Sequence, residues 1–369
     1  PQSIDAIATD YFPETADQRL LKWGMPIPEV IEHNLADINE PFTENETPLF
    51  FHIPKSGGST AKQYYGVCMH LVTASQNGIM HGHDQDEELQ IVNIPPTSLQ
   101  RFVNVDVSTR EGLQRASYLG FGHANVAEVM FSPYLHNAAA VFEAPTYRGR
   151  AFGLFRDPVD REISRFYYKR VAEHEDETTY QPDLNFITIA KYSLLGFWEG
   201  NAVVRMLADL KENQKPTYED LELAMEIVRR KILVGLMDHM EESIAIFDQY
   251  FGFAPRLDFD EQWFMDCKTN KAFGGGANHN SKKGKVDPES STYKNLARRN
   301  RYDNELYAYI VHLFETRKQL EGVDMSHGVG RVNGRVYAVP NDPIENVPPF
   351  VSGEEVNEDA GEEDYGLNK

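Results

Sequence analysis

Six consecutive residues, Lys55-Ser56-Gly57-Gly58-Ser59-Thr60, have the types needed to hold a phosphate. An amine supplies a mobile positive charge, glycines let backbone amides approach closely, and hydroxyls supply donors. The loop follows an apolar run, Leu49-Phe50-Phe51-His52-Ile53-Pro54, that reads as a buried strand. Residues 59–70 read as a helix. A helix N-terminus aims backbone N–H groups and the positive end of its dipole at an anion, so the segment is an anion cradle. It is not the nucleotide-triphosphate loop G-x-x-x-x-G-K-[ST], because Lys55 precedes the glycines. Nor is there a clear partner strand ending in an Asp that would hold Mg²⁺.

A second constellation lies about one hundred residues on. Ala151-Phe152-Gly153-Leu154-Phe155 has strand length, and Arg156-Asp157-Pro158-Val159-Asp160-Arg161-Glu162-Ile163-Ser164-Arg165-Phe166-Tyr167-Tyr168 follows it. Asp157 suits a helix N-cap and Pro158 the first helical position. Apolar residues at 159, 163, 166 and 167 make a helical stripe. Arg156 leaves the strand end and Ser164 lies about two turns along the helix, within reach of one phosphate.

The order Pro-Lys-Ser-Gly-Gly-Ser-Thr resembles the 5′-phosphosulfate loop of sulfotransferases that use 3′-phosphoadenosine 5′-phosphosulfate (PAPS). It is most similar to the Golgi carbohydrate branch, the heparan sulfate 2-O/6-O-sulfotransferase-like enzymes. The second stretch resembles that family's 3′-phosphate motif, Arg-Asp-Pro-x-x-Arg-x-x-Ser-x-[Phe/Tyr]-Tyr. Weaker echoes are Gly122-His123, Asn201-Ala202-Val203-Val204-Arg205-Met206-Leu207, Val234-Gly235-Leu236-Met237 and Asn278-His279-Asn280-Ser281-Lys282-Lys283. The resemblance implies an α/β fold with a mainly parallel central sheet flanked by helices, of the sulfotransferase P-loop-like type. It implies that Lys55, Ser56, Gly57, Gly58, Ser59 and Thr60 hold the 5′ side of PAPS, that Arg156 and Ser164 hold the 3′-phosphate, and that Lys282 and Lys283 lie near the cofactor. It also implies a Golgi-lumenal enzyme, with an anchor upstream of Pro1; a soluble cytoplasmic protein is the other expectation.

Sulfuryl transfer needs an in-line nucleophile, removal of its proton, and stabilisation of charge on the leaving phosphate. Lys55 fits the last role. His123, whose ordinary pKa suits a base, is the first choice for proton removal and is expected just past a strand at 117–121. Glu128 is the second choice. His52 reads as structural or orienting. His81-Gly82-His83-Asp84 reads as a polar loop at the acceptor groove in preference to a metal site, and no metal is expected. A P-loop nucleotide kinase is the rival enzyme class, disfavoured by the position of Lys55. A non-catalytic binding protein on the same scaffold is the other rival, disfavoured by the presence of both Lys55 and Ser164.

The chain has 369 residues, 41% apolar, with a mean hydropathy of −0.50, enough for a sizeable core. No apolar run is long enough to span a membrane, and no nucleic-acid partner is expected. The net charge of −21 is uneven. Residues 1–47 and 341–369 each carry −8, residues 48–340 only −5, and within them residues 282–301 carry +5. This suggests an acidic N-terminal extension over 1–47, a sulfotransferase domain over 48–325 and an acidic, disordered tail over 326–369. Cys68 and Cys267 can form at most one bridge. Strands are expected at 48–53, 101–107, 117–121, 151–155 and 232–235. Helices are expected at 59–70, 158–172, 197–210, 217–231, 238–251 and 302–320. The acceptor is expected to be a carbohydrate or other alcohol.

Overall fold

Seven short, almost wholly apolar strands build one sheet in the computed structural model, which describes residues 25–93, 100–173, 180–195, 200–254, 260–274 and 286–323. They are β1 (Thr47–Phe51), β2 (Val72–Ala74), β3 (Ile91–Asn93), β4 (Arg101–Val103), β5 (Val129–Ser132), β6 (Gly149–Phe155) and β7 (Ile232–Leu236). Their order across the sheet is β3-β4-β2-β5-β1-β6-β7. All neighbours pair in parallel except β3 with β4. Strands buried on both faces lose the alternation of a half-exposed sheet, which is why β1, β6 and β7 read as continuous apolar runs.

Helices cover both faces. On one, Leu49, Phe51, Met130, Ala151 and Val234 meet α2 (Arg110–Tyr118), α4 (Tyr218–Lys231) and α7 (Arg301–Thr316). On the other, Phe50, Phe131, Phe152 and Leu233 meet α1 (Gly58–Lys62), its wider-wound continuation Gln63–Cys68, and α5 (Met240–Phe251). The remaining labelled helices are α3 (Pro158–Lys169) and α6 (Ser291–Arg299). Local chemistry fixes several helix starts. Asp157 accepts from the amides of Val159 and Asp160 ahead of α3, and Thr217 and Asp220 form a reciprocal capping box on α4. The bridge Cys68–Cys267 forms, with Cα atoms 5.5 Å apart, and ties the end of the α1 continuation to the segment Cys267–Ala272.

Two expectations change. Residues 117–121 are not a strand: α2 runs to Tyr118, capped by Thr109, and Phe121–Ala124 is a short helix. The strand of that region is β5, eight residues later. The part of 1–47 that is described belongs to the body, since Ile31, Leu35 and Ala36 are fully buried. Arg150 of β6, also fully buried, donates to Glu46 at 2.7 and 2.9 Å. Residue 47 therefore does not mark the edge of the folded unit, and the described residues all lie within one compact unit, residues 1–336. The expected tail over 326–369 lies outside the described residues, as do Lys282 and Lys283. Among the described residues no helix is long and apolar enough to cross a membrane.

Candidate functional site

The loop after β1 and the loop after β6 leave the same edge of the sheet, because the two strands are parallel neighbours. Ligands in open α/β sheets sit at this carboxyl edge. Within the first loop the Ser56 amide donates to Ile53 O at 3.2 Å. Lys55 and Gly57 both have left-handed backbone, with φ of 68° and 89°. Glycine suits this backbone at position 57, and a Cβ there would lie 2.5 Å from the Met240 methyl. Gly58 opens α1. A Cβ on it would lie 2.0 Å from Cδ2 of His52, so the imidazole occupies the space a side chain would need.

The two loops touch. Arg156 Nη1 donates to Lys55 O at 3.2 Å, and Lys55 Nζ lies 3.8 Å from the ring centre of Tyr168 on α3. A cation over an aromatic face is held electrostatically, so the second motif positions the lysine of the first. Two polar atoms here are buried without a partner: Ser56 Oγ, on a residue 1% exposed, and Arg156 Nε. Buried polar groups are ordinarily paired, and an orphan asks for a ligand or a role. Both are donors, as an anion would require. Ser59 is exposed at the start of α1, Thr60 is partly exposed behind it, and Ser164 is nearly buried on α3. Asp157 is held at the head of α3 with its pKa raised by burial.

His123 and Glu128 are not brought to this site. Asn125 accepts from Thr47 Oγ1 at 3.2 Å and donates to Glu44 O, which puts the His123 helix beside the amino end of β1. The strand alone separates its two ends by about 13 Å. His123 is more than half exposed and pairs with Glu143 at 3.1 Å. Glu128 precedes β5 at the same amino edge. Its carboxylate accepts from the Val72 amide at 2.7 Å and lies 3.5 Å from Arg101 Nη2, where it fastens the start of β2. The physical cause is the misread strand: Gly122-His123 does not end a strand, whereas Ser132 does. The expected polar loop at His81–Asp84 packs through His83, whose Nδ1 is 2.8 Å from Asp86.

Other side chains occupy the carboxyl edge instead. His52 lies between β1 and the loop, and its amide donates to Ser132 O at the end of β5 at 2.9 Å. Lys62, one turn along α1 from Gly58, donates to Gln76 Oε1 at 2.7 Å and lies 5.8 Å from the Phe131 ring. Burial lowers its pKa to about 8, opposed by the charge of Asp106. Burial first, and then Lys62 and Lys55, lower the pKa of His52 to about 3. The apolar run Val129-Met130-Phe131, followed by Ser132 and stopped by Pro133, is the sequence signal for β5 and so for this part of the carboxyl edge.

Comparison with known proteins finds no family model that matches the chain and no curated protein similar to it.

Proposed function

We propose that the chain is a PAPS-dependent sulfotransferase that moves a sulfuryl group to an alcohol, a carbohydrate hydroxyl above all. One observation carries this reading. The Lys55 loop and the Arg156 loop meet at the carboxyl edge of adjacent parallel strands, with two buried donors, Ser56 Oγ and Arg156 Nε, lacking partners. These residues fit a ligand with separated phosphate groups. Ser56, Gly57, Gly58, Ser59 and Thr60 offer amides and hydroxyls to the 5′ side, and Lys55 offers its charge to the phosphate oxygen that leaves. Arg156 and Ser164 are the residues for the 3′-phosphate. PAPS, when bound, supplies the sulfuryl group; the chain binds, orients and neutralises. A Golgi-lumenal location belongs to the same proposal, supported by the Cys68–Cys267 bridge, since such bridges persist in oxidising compartments.

Calorimetry with adenosine 3′,5′-bisphosphate and with AMP tests the reading. The bisphosphate is expected to bind much more tightly, and Arg156→Ala to remove about 1.5–3 kcal/mol of that difference, the worth of a hydrogen bond to a charged group. Equal affinities for the two ligands would overturn the assignment.

A further inference from the structure

We infer that His52 is the residue that takes the proton from the acceptor hydroxyl, an inference that rests on the sulfotransferase reading above. Three features of its place in the fold point there. His52 directly follows β1 and stands three residues before Lys55 of the anion loop. Its ring lies against Gly58, the first residue of α1, so the imidazole borders the amides that would face the donor. Among the described residues no hydrogen bond is made to the ring, which is only partly buried, so a ring nitrogen is available to a hydroxyl.

Two other titratable side chains at this edge are committed elsewhere. Asp106 follows β4, three strands from β1 or about 14 Å of sheet. Its Oδ1 accepts from both the amide and the hydroxyl of Ser108. Lys62 is a donor to Gln76. His123 and Glu128 are at the other edge.

The charges around His52 give it a condition for acting. Burial first, and then Lys62 from α1 and Lys55 from the loop, oppose its protonation. Asp106 acts on Lys62. Without an anion on that flank the ring is neutral and a poor base. A phosphosulfate on Lys55 and the α1 amides adds negative charge on that flank and offsets the part of the depression that Lys62 and Lys55 cause, which raises the basicity of the ring. Proton removal is then coupled to the presence of the donor. In the step itself the acceptor O–H bond breaks towards the ring nitrogen, and the acceptor oxygen bonds to sulfur. The sulfur–oxygen bond to the 5′-phosphate breaks, leaving its electron pair on the phosphate oxygen beside Lys55. The imidazolium later releases its proton to water.

The experiment uses the full chain and two readouts. Nitrogen NMR of the wild-type imidazoles, titrated with and without adenosine 3′,5′-bisphosphate, should show the His52 pKa rising by about one unit or more on binding. Bisphosphate release from saturating PAPS, with methyl glycosides as the alcohol probe, should fall roughly 10²–10⁴-fold in His52→Ala. Bisphosphate affinity should hardly change, and added imidazole should restore part of the rate. His123→Ala should behave as wild type. An unmoved His52 pKa, or a His52→Ala rate close to wild type, would overturn the inference. A wild-type chain that neither binds the bisphosphate nor cleaves PAPS would overturn the sulfotransferase reading instead.

Discussion

Replacing Gly58 by alanine probes the one contact that both shapes the cradle and places His52. The added methyl would stand 2.0 Å from Cδ2 and 2.2 Å from Nε2 of the imidazole, where about 3.5–4.0 Å is ordinary contact. The ring must retreat by about 1.5 Å, or α1 must move off the end of β1. Overpacking of this kind costs about 1–3 kcal/mol. Gly58 itself has helical backbone, so alanine meets no conformational penalty and gains up to about 1 kcal/mol of helix propensity. The net expectation is a loss of about 1–2 kcal/mol in the wild-type background. With His52→Ala in place the clash is gone, and Gly58→Ala should be neutral or mildly stabilising. The coupling between the two positions is then about 2 kcal/mol, well outside the additivity expected of independent sites. Urea unfolding of the four proteins measures it. An equal cost of Gly58→Ala in both backgrounds would refute the claim that the imidazole fills the space above the helix start.

Lys55→Ala should lower turnover about a hundredfold or more at saturating PAPS while weakening bisphosphate binding much less, because charge on the leaving oxygen grows towards the transition state; an unchanged turnover in stopped assays would remove Lys55 from the chemical step. Asp248, on α5, accepts from Tyr64 Oη at 2.7 Å, and burial raises its pKa from 3.8 to about 7. An acid with a raised folded-state pKa adds nothing unfavourable below about pH 4, and its stability contribution is lost as pH rises from about 4 to about 7, by up to about 4 kcal/mol. Asp248→Asn should flatten that slope, and identical urea midpoints for both proteins across this range would contradict it. Replacing Cys68 and Cys267 together by serine should cost about 5 kcal/mol in the chain-entropy account, given the 199-residue separation; unfolding with and without a reducing agent reads this, and a wild-type transition unmoved by thiols would count against it.

The strand–loop–helix form of the two loops was legible because each writes its local physics into neighbouring residues: an apolar strand, a turn or cap residue, then a helix start. Lys55, Gly57 and Arg156 were named from sequence alone, as was the mainly parallel sheet flanked by helices. The neighbouring part of the carboxyl edge was not legible. Thr109 followed by Leu113 and Ala116 is the start of a helix, yet Ser117–Phe121 has enough apolar character to read as a strand, and this carried His123 to the wrong edge of the sheet. β2, β3 and β5 have three or four residues each, too few for periodicity to register. The order β2-β5-β1 is set by long-range pairing, which no local pattern reports. His52 was visible in the motif, but its contact with Gly58 depends on how tightly α1 turns back over the end of β1. The Cys68–Cys267 pairing likewise needed the fold, since it joins segments 199 residues apart.

The position of β1 has a consequence for how the protein comes into being. Its two neighbours in the sheet are β5 and β6, which follow it by about eighty and one hundred residues. A nascent chain that has emerged only as far as α1 therefore holds every residue of the anion loop and none of the walls that shape it. The Arg156 contact, the Tyr168 face over Lys55 and the Ser132 carbonyl that anchors His52 are all made by later residues. Because non-local pairing is slow to form, the proposed anion affinity should arrive late and abruptly during synthesis. Ribosome-released fragments ending before α3 should have none, however well their first helix forms.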